Sequence, residues 1–207
     1  MPSMPTDEAQ ASELRVVPAG EAPFEDVETV FGTRGDPAHC WCQWYKIPGS
    51  DWRSVGDEAL RERLEAQLAA SDSGPGLLAY DGETPVGWCA VEPRPNLVRI
   101  PRSRIIAAGT RHPDFDDPTI WAVTCFVIPR AHRRKGVARA LAEAAANFAF
   151  EHGARIVEGY AVDTAARPGA AAADLFHGTL TMFVNAGFDE VARPKADRVI
   201  LERRLRD

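Results

Sequence analysis

The sequence predicts an α/β (α+β) fold, a mixed and mostly antiparallel central sheet of about seven strands flanked by about four helices. Three observations predict it. Thr119 to Asp163 reads strand, basic glycine loop, long helix, strand, and two strands joined through a helix pair in parallel with a right-handed crossover. The other strand candidates lie close together in the chain and read as antiparallel hairpins. The chain has 207 residues, 45% hydrophobic and 26% charged, the size and composition of one globular domain with a full core.

Residues 1–13 are polar and acidic and read as a disordered tail; residues 14–207 read as a single domain. Leu14-Arg15-Val16-Val17 is a short strand closed by Pro18 and Gly20. Phe24, Val27, Val30 and Phe31 recur at helical spacing, and Gly32 stops that helix. Thr33 to Ser54 reads as a loop rich in turn residues and aromatics. Its Arg34-Gly35-Asp36 is a turn, and Trp41, Trp44, Tyr45 and Trp52 form either a lid over a site or a seal on the core. Asp57 to Ala70 is a helix with Leu60, Leu64 and Leu68 as its buried stripe and acids at its start. Gly74-Pro75-Gly76 breaks it. Leu77–Tyr80 and Val86–Glu92 then form a hairpin with a longer loop around Asp81 to Pro85. Pro93 to Pro118 is long and irregular. After the central unit comes the Ala/Gly/Pro-rich connection Thr164 to Ala173. A short helix follows, capped by Thr179 and stopped by Gly187, and Phe188–Ala192 and Val199–Leu205 form a closing hairpin.

The functional signal is Arg133-Arg134-Lys135-Gly136-Val137-Ala138, between the apolar run Trp121–Ile128 and the helical stripe Val137, Leu141, Ala144, Ala145, Phe148. A glycine loop opening a helix is an anion site, because the first N–H groups have no intrahelical partner and the macrodipole favours negative charge. Arg133-x-x-Gly136-x-Ala138 resembles the Gln/Arg-x-x-Gly-x-Gly/Ala signature of the GCN5-related N-acetyltransferases (GNAT), and Met182 to Phe188 resembles that family's last helix with its Gly-Phe ending.

The resemblance implies a three-layer fold in which the parallel pair splays apart. It implies acetyl-CoA as co-substrate and direct transfer of the acetyl group to a primary amine of a small molecule or peptide. It places the cofactor's pantetheine arm against free backbone groups of Phe126, Val127 and Ile128, and its pyrophosphate on Arg133, Arg134, Lys135, Gly136, Val137 and Ala138. Deprotonating a lysine-like amine at pH 7 costs about 4.6 kcal/mol, which favours a general base. Two departures from the family pattern stand out: the tyrosine expected four residues before the last-helix glycine is Phe183, and the central strand Thr119–Phe126 carries no carboxylate. Strand alternation puts Glu158 and Tyr160 on one face, which makes Glu158 the candidate base and Tyr160 the candidate acid. The alternative role of Glu158 is an ion pair within the sheet; His177 and Glu92 are weaker candidates, and Asp114, Asp116 and Asp117 read as a solvated run or a steering patch. The missing groups also motivate a second class, an acyl-CoA-binding sensor without turnover.

A net charge of −6 argues against a broad nucleic-acid-binding surface, so the basic loop is a local feature. The N-terminus lacks the pattern of a secretory signal and no apolar run reaches membrane-spanning length, so the expected location is the cytoplasm, with the four cysteines reduced. No metal is expected: Cys40 and Cys42 lack the partner pair of a structural zinc site. The closing hairpin is a candidate homodimer contact.

Overall fold

A computed structural model describes residues 14–70 and 74–205. The tail expected over residues 1–13 lies outside them. Seven strands form one mixed sheet: β1 Leu14–Pro18, β2 Gly76–Asp81, β3 Thr84–Pro93, β4 Ile120–Val127, β5 Ile156–Val162, β6 Asp189–Lys195 and β7 Arg198–Arg204. Their order is β1-β2-β3-β4-β5-β7-β6, and β4–β5 is the parallel pair within an otherwise antiparallel sheet. The helices are α1 Phe24–Phe31, α2 Asp36–Cys40, α3 Asp57–Ala69, α4 Arg104–Gly109, α5 Val137–Glu151 and α6 Leu180–Asn185. No helix among the described residues is long and apolar enough to cross a membrane.

Both faces of the sheet are covered. On one face α5 buries Val137, Leu141, Ala142, Ala145, Ala146, Phe148 and Ala149. The four alanines let its backbone lie close to the strands, while full burial of a side chain such as Leu141 contributes about 1.5–3 kcal/mol. Contact is closest at Gly87 on β3, where a Cβ would come within 2.6 Å of Val137 Cγ1. That approach fixes the first turn of α5 against the sheet. On the other face α1 and α3 bury Val27, Val30, Phe31, Leu60, Leu64 and Leu68 against Trp88, Leu78 and Tyr80.

Three expectations for loops change. The β2–β3 connection is a two-residue turn, Gly82-Glu83, with Asp81 paired to Thr84 and Gly82 at φ +59°. Pro85 follows it at a register shift, where the missing N–H costs the ladder nothing. Thr33 to Ser54 contains α2, begun by Asp36-Pro37, because proline in the first turn gives up only an N–H that has no partner. Pro93 to Pro118 contains α4, capped by Ser103 Oγ accepting from the Ile106 amide. Both helices are too short for a periodic stripe.

The parallel pair parts early. Ladder pairing of β4 with β5 runs only from Ile120↔Ile156 to Val123↔Gly159. Next to that point Thr124 is an extra residue, since Ala90 pairs with Cys125 and Val91 with Val123. This bulge turns the end of β4 away from β5. Gly159 contributes from the other side: a Cβ there would lie 2.6 Å from the ring of Phe183. Gly159→Ala is therefore expected to lower the urea midpoint, by about 1–3 kcal/mol of overpacking in the linear extrapolation; an unchanged midpoint would show that Phe183 can yield.

Candidate active site

A cleft of about 1490 Å³ opens where the two strands part. One wall is the end of β4 and the basic loop into α5, and α6 forms another. The segment from the end of α1 through Trp44 and Tyr45 faces them. At the loop, Arg134 (φ +62°) and Gly136 (φ +83°) adopt the left-handed conformation that folds the chain into a cradle. Gly136 is the N-cap of α5 and no side chain caps that end, so the first amides of the helix are left to solvent or a ligand. Arg133 ties the cradle to β4, its Nε donating to the Ile128 carbonyl at 2.9 Å.

The cleft's charge is one-sided. Arg34, Arg130, Arg133, Arg134 and Arg139 line it against a single acid, Asp36. In a chain of net charge −6 this concentration of cations marks a site for a polyanion. Of the residues expected at the cofactor, Phe126, Val127, Ile128, Arg133, Arg134, Gly136, Val137 and Ala138 line the cleft; Lys135 is absent from its lining.

One expected contact is already taken. The Phe126 amide donates to the Phe176 carbonyl at 2.7 Å. Residues 175–178 enter the gap that β5 vacates, and the Val162 amide on the far lip donates to Gly178 at 3.0 Å. A backbone amide inside the molecule needs a partner, and here the chain itself supplies one. Phe126 is therefore not a free amide, a correction to the expected set.

Glu158 and Tyr160 do share a face, but they meet in a buried network outside the cleft lining. Glu158 is fully buried; its Oε2 accepts from Arg94 Nη1 at 3.1 Å and from Tyr160 Oη at 2.6 Å, and its Oε1 accepts from Thr110 at 2.5 Å. Arg94 also donates to the carbonyls of His112 and Asp114 and lies over the Phe115 ring, so the ion pair fastens residues 94–118 to β5. Burial and the neighbouring Glu158 charge push the Tyr160 hydroxyl well above its usual range. The neighbouring strand repeats the pattern: Glu202 is buried, opposite Glu158 in the ladder, and held by His112 and Arg204. Glu92 is likewise buried and paired, with Lys46 at 2.8 Å.

The aromatic segment divides between its two expected roles. Trp41 stacks on Phe31 (5.0 Å, 4°) and seals the core, while Cys42 accepts from Trp88 Nε1 at 3.1 Å. These contacts hold Trp41 (φ +44°) and Cys42 (φ +49°) in a left-handed turn that ordinary side chains avoid. Trp44 and Trp52 meet edge to face at the cleft wall, with the Arg99 guanidinium 3.7 Å over Trp44. Phe183 is fully buried against Phe126 and Phe188 and belongs to the core. Sequence reasoning missed Arg94, Thr110 and the role of residues 175–178 between the strands, although it counts His177 among them as a weaker catalytic candidate. A lone arginine after proline in a long loop, and a short Leu-Phe-His-Gly stretch, carry no periodic signal.

The acetyltransferase (GNAT) family model matches residues 41–176. No curated protein sequence matches the chain. Among solved structures, the PaiA N-acetyltransferase of Thermoplasma acidophilum in complex with coenzyme A is similar at 13% identity, covering 93% of this chain and 99% of that one with a TM-score of 0.52. YncA of Salmonella typhimurium, solved with acetyl-CoA, is similar at 14% identity over 94% and 95% of the two chains, TM-score 0.50. A GNAT-family acetyltransferase of Listeria monocytogenes is similar at 12% identity over 93% and 95%, TM-score 0.50. At these identities the likeness is one of fold.

Arg94→Ala leaves the Glu158 carboxylate buried without its cation, which costs about 3–5 kcal/mol. Denaturant melts of Arg94→Ala and of the double variant Arg94→Met/Glu158→Leu are expected to show a large loss in the first and much of it regained in the second. Equal losses would mean that the pair is not what holds residues 94–118.

Proposed function

The chain belongs to the acetyltransferase (GNAT) family, and on that premise we propose that it transfers an acetyl group from acetyl-CoA to a primary amine of a small molecule or peptide. The observation that carries this reading is the uncapped, glycine-led start of α5 at the head of an arginine-lined cleft. Amides of residues 136–138 and the guanidiniums of Arg133 and Arg134 hold the diphosphate, each charge-assisted bond contributing about 1.5–3 kcal/mol. The arm then runs along Ile128 and Val127 toward the bulge at Thr124. It passes the Phe126 side chain, whose amide stays with Phe176.

The amine attacks the thioester carbonyl carbon, the C–S bond breaks, and the electron pair leaves on sulfur. Proton removal from the amine is the harder half. We read Glu158 as the anchor of the wall behind the site, since Arg94, Thr110 and Tyr160 saturate its oxygens. The amine's proton then passes to water, and the reactive species is the fraction of acceptor already neutral. For a lysine-like amine that fraction rises about ten-fold per pH unit below its pKa. A thiol-release assay over a panel of amines is expected to show kcat/KM climbing with pH across the neutral range, and weakly basic amines reacting fastest at pH 7. A flat profile with strongly basic amines would restore a protein base.

The burial of Phe183 favours one alternative, a sensor that binds acyl-CoA without turnover. It predicts tight coenzyme A binding and no thiol release with any amine of the panel. In calorimetry Gly136→Val is expected to weaken coenzyme A at least ten-fold, because a β-branched residue at φ +83° destroys the cradle. Unchanged affinity would contradict the placement of the diphosphate.

A further inference from the structure

Phe183, where a tyrosine was expected, has no proton to give and lies in the core, while the Tyr160 hydroxyl is tied to Glu158 and the Phe126 amide is occupied, so neither of these two donors is free for a departing thiolate. The chain has three tyrosines. Tyr80 donates to Asp26 at 2.7 Å and lines a separate small pocket, so only Tyr45 reaches the cleft. It packs against the cluster that contains Ala122 and Tyr160, beside the point where β4 and β5 part, and it lines the cleft together with Thr124 and Cys125. That is the end of the cleft opposite the basic loop. The last four residues of β4 before Ile128 span roughly 13 Å, the reach of an arm of two amide units.

The hydroxyl is positioned. His177 Nε2 stands 3.5 Å from Tyr45 Oη, the two rings meeting edge to face at 6.0 Å. His177 sits in residues 175–178, which hydrogen-bond to both lips of the gap, and its ring lies 3.9 Å from that of Phe176. Its Nδ1 is buried without a hydrogen-bond partner among the described residues. The backbone of Tyr45 is fixed from the other side, its carbonyl accepting from the Arg99 amide at 3.2 Å.

We propose that Tyr45, oriented by His177, donates the hydrogen bond that stabilises the departing coenzyme A thiolate. This rests on the acetyltransferase reading. The charged and titratable groups facing Tyr45 are Cys125 from β4, Tyr160 from β5, Arg198 from β7, Arg99, and His177 itself. Burial raises the Tyr45 hydroxyl above its usual range, so it stays a donor and never a base. Burial lowers His177 to about 4, with the Arg198 charge adding to the effect, so the ring is neutral at physiological pH; with its proton on Nε2 it donates to the Tyr45 oxygen and leaves the Tyr45 proton for the sulfur. The hydroxyl of Thr124, at the bulge itself, is aliphatic and a weaker acid than a phenol. As the C–S bond breaks, the electron pair stays on sulfur, the Tyr45 proton shares it, and the thiol's own proton arrives from water.

The test needs no acceptor amine. The thiol of bound coenzyme A is titrated by its ultraviolet thiolate absorbance in the wild-type protein, Tyr45→Phe and His177→Gln, with desulfo-coenzyme A affinity as the check on fold and on the cofactor site. Wild type is expected to hold the bound thiol about one pKa unit lower than Tyr45→Phe does, with His177→Gln between them and desulfo-coenzyme A affinity unchanged in all three. Identical thiol titrations in wild type and Tyr45→Phe overturn the role of Tyr45 while leaving the acetyltransferase reading in place. Failure of the wild-type protein to bind either ligand overturns that reading and the proposal with it. Where an accepted amine is found, Tyr45→Phe is expected to lower kcat about ten-fold or more at unchanged KM for acetyl-CoA.

Discussion

The amides left without partners at the start of α5 are the constraint to which the rest of the molecule answers. A helix start without a side-chain cap leaves its first amides to find partners elsewhere, and this one, exposed at Gly136, has glycine where a capping serine or aspartate would ordinarily sit. The end faces a cleft lined by five arginines, where an anion can supply what a cap would have supplied. Everything that aims this end matters in turn. Gly87 lets the helix lie on β3, Arg133 ties the loop to the Ile128 carbonyl just past β4, and left-handed Arg134 and Gly136 turn the amides inward.

The second constraint is geometric: two parallel strands must separate in the middle of a packed sheet without orphaning their backbone groups. The Thr124 bulge and the absence of a side chain at Gly159 begin the separation, and Phe183 fills the room that Gly159 leaves. Residues 175–178 then satisfy an amide on each lip. The gap is thus closed on the side away from the basic loop, and the same four residues carry His177 to Tyr45. Behind the gap, buried ion pairs at Glu92 and Glu158, and the contact of buried Glu202 with His112, hold the loops that wall it. Such pairs contribute little net stability, but breaking one is expensive, so they fix where those loops lie.

Much of this was legible in the chain. The parallel pair, the helix between its strands, the glycine cradle and both hairpins follow from periodicity and from glycine and proline punctuation, signals that are local. Glu158 and Tyr160 show where such reading stops. Alternation placed them correctly on one face, but whether a carboxylate on that face meets solvent or a cation depended on Arg94, distant in sequence and inside a loop without a pattern. The same limit applies to Phe126, whose amide is taken by a carbonyl fifty residues further along the chain. Tyr45 was read only as one aromatic among four, because its distinguishing neighbour, His177, is brought to it by tertiary structure alone.

The central claim is that main-chain amides at the head of α5 bind the diphosphate. Amide chemical shifts of the labelled protein, followed during a coenzyme A titration, test it most directly. The account predicts the largest downfield changes at Gly136, Val137 and Ala138, as their N–H groups acquire phosphate oxygens. Saturable binding that leaves those three resonances in place would contradict it.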